Sequence, residues 1–174
     1  MVSKTLDLGS GPTPRSLPGH DAYGIDLCVE GVPQEAPGRV LPVDLAMRPI
    51  PFDDGVFDRV FAHDFLEHVP RLLYVGGVRR QPFLSLLNEV WRVLKPGGVF
   101  ESCTQMVTHL QTWAGDPTHV NPISENTFNY LVAQPGVNFE YDLMKRYGFI
   151  GCFRLLHKSW RHGSHLYVEM EAVK

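Results

Sequence analysis

No stretch of this sequence approaches the ~20 consecutive apolar residues that a membrane-spanning helix needs. The opening Met1-Val2-Ser3-Lys4 does not read as a signal peptide. Cysteine is scarce. Cys28, Cys103 and Cys152 are odd in number and far apart, which fits free thiols in a reducing compartment better than disulfides or a zinc site. Charge of one sign is also lacking: with a net charge of −3, no global basic field recruits nucleic acid or an anionic membrane. No internal repeat, low-complexity tract or linker divides the 174 residues. These absences lead us to expect a single cytoplasmic domain spanning residues 1–174.

What is present begins with Leu6-Asp7-Leu8-Gly9-Ser10-Gly11. The segment Thr5 to Leu8 is a short apolar strand running into a glycine turn, whose residues can take positive φ and bring backbone N–H groups close to a ligand. A second strand, Ala22 to Leu27, carries Asp26, and a third, Arg39 to Val43, stops at Asp44. Three successive short strands thus end near an acid (Asp7, Asp26, Asp44), at the carboxyl edge where open α/β sheets bind small molecules. Pro12, Pro14 and Pro18 forbid a regular helix between the first two strands. Gly31-Val32-Pro33 and Ala36-Pro37-Gly38 spell loop after the second.

Asp53-Asp54-Gly55 turns the chain into a fourth strand, Phe57 to Ala62, followed by a helical turn from His63 to Val69 that Pro70 stops. Residues 71–80 show no clear period and read as a partly helical excursion. Pro82 to Leu94 is the strongest helix: Phe83, Leu87, Val90, Trp91 and Leu94 share one face, with proline at its start and Lys95-Pro96-Gly97-Gly98 at its end. A fifth strand runs from Val99 to Ser102. Ser124 caps a helix to about Ala133, with Phe128, Leu131 and Val132 inward. Two β runs, Phe149 to His157 and His165 to Val173, close the chain. The order predicts an α/β sheet finished by an antiparallel hairpin. Arg154, His157, Lys158, Arg161 and His162 make that hairpin basic, as a solvated edge or an anion contact.

The order of motifs resembles the small UbiE-like (methyltransferase type 11) family of class I S-adenosylmethionine-dependent methyltransferases. The resemblance rests on the glycine turn, on Gly24-Ile25-Asp26, and on Val43-Asp44-Leu45 followed by Ile50-Pro51-Phe52-Asp53-Asp54-Gly55-Val56-Phe57-Asp58. Leu66-Glu67-His68-Val69 and Glu89-Val90-Trp91-Arg92-Val93-Leu94-Lys95-Pro96-Gly97-Gly98 extend it, so that residues 5–102 match in order. It implies a Rossmann-like, seven-stranded, mostly parallel sheet of order 3-2-1-4-5-7-6 with strand seven antiparallel and reduced helices after strands one and two. It also implies S-adenosyl-L-methionine as cofactor. Asp26 would accept from the ribose diol, with Leu27 beside it, and Asp44 would accept from the adenine amino group, with the Leu45 N–H on a ring nitrogen. Asp7 would hold the methionyl ammonium, Gly9 and Gly11 would admit the methionine, and His63 would stand near the methyl.

The implied reaction moves the sulfonium methyl to an O, N or C nucleophile of a small-molecule acceptor, with His63 and then His119 as candidate bases. Two alternatives are a catalytically silent cofactor-binding subunit and a NAD(P)-binding protein; Pro12-Thr13-Pro14 opposes the second, because no helix N-terminus is left to hold a pyrophosphate. Glu67 and His68 read first as anchors of their helical turn. Asp64, Glu67 and His68, at i, i+3 and i+4, also offer an O/N face to a divalent metal with His119 as a further ligand, similar to methyltransferase families with E-x-x-E-H and another histidine.

Most such relatives carry helices ahead of the first strand, whereas here the motif begins at residue 6. With proline-broken segments 12–21 and 28–38 in place of helices, one sheet face is expected to be thinly covered and apolar, with the lid built from residues 71–81 and 103–122 or from another chain. Exposed apolar surface of that kind predicts a homodimer or a larger partner subunit.

Overall fold

In the computed structural model, residues 2–27, 39–133 and 139–174 are described. Cys28 and the expected loop at 28–38 lie outside them. Short strands form β1 (Ser3–Leu8), β2 (His20–Asp26), β3 (Val40–Pro42) and β4 (Phe57–His63), each placing apolar residues such as Leu6, Leu8, Ile25, Val40 and Val60 in the core. After β4 comes a 3₁₀ turn, Leu66–His68. A two-stranded hairpin follows, β5 (Leu73–Val75) and β6 (Val78–Arg80), leading to α1 (Pro82–Val93) and β7 (Leu94–Gln105). The rest comprises α2 (Leu110–Trp113), a second 3₁₀ turn at Thr127–Leu131, α3 (Phe139–Arg146), β8 (Phe153–Arg161) and β9 (His165–Ala172).

The seven-stranded sheet has the order β3-β2-β1-β4-β7-β9-β8. All pairs from β3 to β7 are parallel, and β9 is antiparallel to both of its neighbours. This is the expected 3-2-1-4-5-7-6 order, in which β7, β8 and β9 are the fifth, sixth and seventh strands. None of the described helices is long and apolar enough to cross a membrane.

Three local expectations are corrected. Residues 71–80 form the β5–β6 hairpin rather than a partly helical excursion, because Gly76 and Gly77 both take positive φ (56° and 80°) and close the two-residue turn. The helix expected from Ser124 to Ala133 shrinks to the 3₁₀ turn. Val132 bridges Phe153 and the Ala133 N–H donates to the Phe153 carbonyl, so this backbone pairs with β8 instead. Strand five starts at Leu94, not Val99: the Lys95–Gly98 kink is drawn into β7 as an irregularity of register against β4.

The apolar core lies on one face of the sheet. Leu6, Leu8, Ile25, Val60, Ala62, Phe100, Val168 and Met170 join Phe83, Leu87, Val90 and Val93 of α1 and Phe128, Leu131 and Phe149 in one buried cluster. Strand alternation sends Arg59, Phe61 and His63 of β4, Glu101 of β7, and Tyr167, Glu169 and Glu171 of β9 to the other face. There the Arg59 guanidinium bonds both Glu101 and Glu169, Tyr167 donates to Glu169 at 2.9 Å, and Arg154 pairs with Glu171. Among the described residues, this face therefore carries a run of ion pairs from β4 across β7 and β9 to β8, beside Phe61 and Tyr167.

Over β1 and β2 the same face is covered by the expected loop. Thr5 and Asp7 are fully buried there, and the Arg15 N–H donates to Asp7 Oδ2 at 2.8 Å. The loop lies so close to the sheet that a Cβ on Gly24 would fall 2.7 Å from Pro14 Cγ and against Ser10 Oγ. Gly24→Ala is thus expected to cost about 1 kcal/mol by overpacking. Urea unfolding checks it; an unchanged midpoint would mean the loop yields freely.

Candidate functional site

The carboxyl ends of β1, β2 and β4 and the turn after β3 surround a groove of about 450 Å³. This volume is within the range of small-molecule sites. Gly9 lines it on the β1 side and Asp26 and Leu27 on the β2 side, while Asp44, Leu45 and Ala46 close it beyond β3. Asp64, Phe65, His68 and Thr118 line the opposite end. Five of the residues expected to bind cofactor (Gly9, Asp26, Leu27, Asp44 and Leu45) therefore share one cleft. Asp7, Gly11 and His63 are not part of its lining.

Local chemistry explains the geometry. Gly9 sits at φ 68°, where its N–H donates to the Ile25 carbonyl at 2.8 Å. A Cβ there would lie 2.7 Å from the Phe65 ring, so only glycine permits this packing. Gly11, at φ 57°, has no atom within 4 Å of its Cβ position, and its N–H donates to Asp26 Oδ2 at 2.8 Å. The second-strand acid thus ties down the turn that the first strand begins. Asp44 Oδ1 accepts from the Ala46 N–H at 2.9 Å, and its carbonyl accepts from Met47 and Arg48, which turns the chain under the groove. These features fit a nucleoside-bearing cofactor: an acid at the end of β2, a second beyond β3, and an open glycine turn between them.

Asp7 differs from expectation in its surroundings. Besides the Arg15 N–H, the Arg15 guanidinium lies 3.3 Å from both of its oxygens. Burial pushes the Asp7 carboxyl above the ordinary aspartate value, against the lowering effect of Arg15. Arg15, held at the glycine turn by a buried carboxylate, escaped the sequence reading. It sits in a proline-broken loop whose path the local pattern does not reveal.

His63 points to the charged face, where its Nε2 lies 2.9 Å from Glu101 Oε1. Burial acts to raise Glu101, but the hydrogen bonds from His63 and Arg59 outweigh it and hold its pKa below the usual glutamate value. Asp64 follows in the left-handed region (φ 48°), with its Oδ1 3.0 Å from His165 Nε2. Of the four residues expected at a metal, Glu67, His68 and His119 converge, with ligand atoms within 4.8 Å of one another. Asp64 does not join them. His119 therefore stands with His68, at a ring separation of 4.7 Å, while His63 stands with Glu101.

The comparisons with known proteins bear on the family and the fold. The family model described as a methyltransferase domain matches residues 6–101. No curated protein matches the chain in sequence. Among solved structures, a chain from the Haloferax volcanii complex of the Trm112 methyltransferase activator with a methyltransferase is similar at TM-score 0.65 and 14% identity, over 99% of this chain and 83% of that one. An S-adenosylmethionine-dependent methyltransferase from Mesorhizobium loti is similar at TM-score 0.62 and 15% identity, over 97% and 90%. The N-methyltransferase NodS of Bradyrhizobium japonicum, in complex with S-adenosyl-L-homocysteine, is similar at 0.56 and 12%, over 99% and 79%. With the family model covering more than half of the residues and the fold shared across nearly the whole length, the chain belongs to the class I S-adenosylmethionine-dependent methyltransferases.

Proposed function

We propose that residues 1–174 form one catalytic unit that transfers a methyl group from S-adenosylmethionine to a nucleophile of a small-molecule acceptor. The observation that carries this reading is the single groove in which the glycine turn, Asp26 and Asp44 meet. When bound, S-adenosylmethionine supplies an electrophilic methyl on a sulfonium sulfur and leaves as S-adenosylhomocysteine.

The chain's own residues bind and align. Asp26 accepts from the ribose hydroxyls while its Oδ2 keeps the Gly11 N–H in place. Asp44 accepts from the adenine amino group, and buried Leu45 packs beside the ring. Gly9 and Gly11 leave room for the methionine part. Asp7 acts through Arg15 as well as directly: the paired guanidinium offers a donor to a carboxylate, and the Asp7 carboxylate attracts an ammonium. With Nε2–H donating to Glu101, His63 keeps its lone pair on Nδ1, the atom that takes a proton from an acceptor needing deprotonation.

Calorimetric titration tests the assignment. One equivalent of S-adenosylhomocysteine should bind, with no heat from NADH. Absence of that binding, or tight NADH binding, overturns it.

A further inference from the structure

The convergence of Glu67, His68 and His119 comes from a loop stapled across a turn. The backbone N–H groups of Val120 and Asn121 both donate to the Glu67 carbonyl at 2.9 Å, and Asn121 Nδ2 donates to the Leu66 carbonyl at 3.0 Å. Arg71 Nε in turn donates to Asn121 Oδ1 at 2.6 Å. These bonds hold His119 against a turn that lies far from it in sequence.

The hydrogen bonds also fix both imidazole tautomers. Thr118 donates its single hydroxyl proton to Asp116 Oδ1 at 2.6 Å, so toward His68 Nδ1, at 2.9 Å, it can only accept. The Trp113 carbonyl, 2.7 Å from His119 Nδ1, accepts as well. Each ring therefore carries its proton on Nδ1 and presents a lone pair on Nε2. Glu67 is buried, with one oxygen accepting from Thr104 Oγ1 at 2.7 Å and the other from the Gln105 N–H at 3.0 Å. A carboxylate has about four lone-pair sites, so both oxygens retain capacity. Asp116 Oδ2 lies 3.8 Å from His119 Nε2. Two imidazoles and a buried carboxylate whose ligand atoms lie within 4.8 Å of one another, each oriented by an outer hydrogen bond, form an arrangement suited to ligating a metal.

We propose that Glu67, His68 and His119, with Asp116 at the rim, hold a divalent transition-metal cation of the zinc, cobalt or manganese kind at the β4 end of the groove. Ligands about 2.0–2.2 Å from one ion stand roughly 3–4 Å apart, so the present cluster closes with shifts of about an ångström. The mixed nitrogen and oxygen set favours these ions over magnesium or calcium. Asp64, which the helical spacing had grouped with them, is turned toward His165.

His68 and Thr118 line the same groove as Asp26 and Asp44, which gives the ion a role that rests on the methyl-transfer reading. It selects an acceptor presenting a hydroxyl, whose acidity rises on coordination. On this coordinated route the hydroxyl proton leaves to solvent without His63 acting as base, and the oxygen forms the new O–CH₃ bond. The electron pair of the broken S–CH₃ bond stays on sulfur.

The test uses tag-free full-length protein, titrated with Co²⁺ and Zn²⁺ by calorimetry and by cobalt visible absorption, with S-adenosylhomocysteine titrated in parallel. One equivalent of Co²⁺ should bind to the wild type. His68→Ala and His119→Ala should each lose at least about tenfold in affinity, with the cobalt band. Thr118→Val, which removes the exposed acceptor behind His68 and the hydroxyl donor to Asp116, should weaken binding by about tenfold while thermal unfolding stays unchanged. Asp64→Ala should bind cobalt like the wild type. No cobalt binding, or wild-type affinity in both histidine variants, overturns the site. Cobalt binding without S-adenosylhomocysteine binding supports the site and overturns only the methyl-transfer reading.

Discussion

Arg59→Ala is expected to cost about 3 kcal/mol of stability at pH 7, and the cost should shrink as the solution is acidified. Among the described residues, Arg59 is the cation that bonds both Glu101 and Glu169 on the half-covered face. Removing it leaves two partly buried carboxylates facing each other without their shared partner, and losses of roughly 3–5 kcal/mol accompany the breaking of fully buried pairs. Solvent at this half-covered face brings the figure to the lower end.

The sign of the pH effect follows from the carboxylates. In the wild type, Glu169 is held below the ordinary value chiefly by its bond from Arg59, against burial, and Glu101 is also lowered. Their contribution is therefore fully present above about pH 4.5 and is lost as pH falls through the folded-state values. Without Arg59 much of that contribution is already gone at pH 7, with only the His63 bond to Glu101 and the Tyr167 bond to Glu169 left, so acid has less to remove and relieves repulsion between the two glutamates. Urea unfolding of both proteins at pH 7 and pH 4 reads this directly. Equal differences at the two pH values would show that Arg59 acts by packing alone.

Asp26→Ala is expected to weaken S-adenosylhomocysteine binding by about 1–3 kcal/mol, which is about fivefold to 150-fold. Two losses combine. The ribose diol is left without its acceptor, and the Gly11 N–H loses the 2.8 Å bond that fixes the glycine turn. Asp26→Asn separates them, because its amide oxygen can still accept from Gly11 while the charge is gone, so it should fall between alanine and wild type. Calorimetry on the three proteins checks the order. Wild-type affinity in the alanine variant would place the ribose elsewhere.

Much of the frame was legible because local rules carry it. The glycine turn after Leu8, the acids Asp26 and Asp44, the proline and glycine punctuation of α1 and the closing hairpin all depend on neighbours within a few residues. The parallel order of the sheet followed once those elements stood in sequence. Gly76 and Gly77 also carried a local signal: the two-glycine turn marks a hairpin, and weak periodicity around it obscured the strands.

The remaining features depended on which distant residues meet. Lone charges at Arg59, Glu101 and Glu169 each read as ordinary polar positions, since only the parallel and antiparallel registers of β4, β7 and β9 bring them onto one face. That convergence pairs the charges of this face with one another. Likewise Arg15 reaches Asp7 only by the path of a proline-broken loop. His119 reaches His68 and Glu67 only because Val120 and Asn121 pair with the Glu67 carbonyl, while Asp64 turns away through a left-handed backbone. Short-range steric and hydrogen-bonding preferences are written residue by residue in the chain. Long-range ion pairs and ligand clusters are set by chain closure, and the tertiary structure alone decided those.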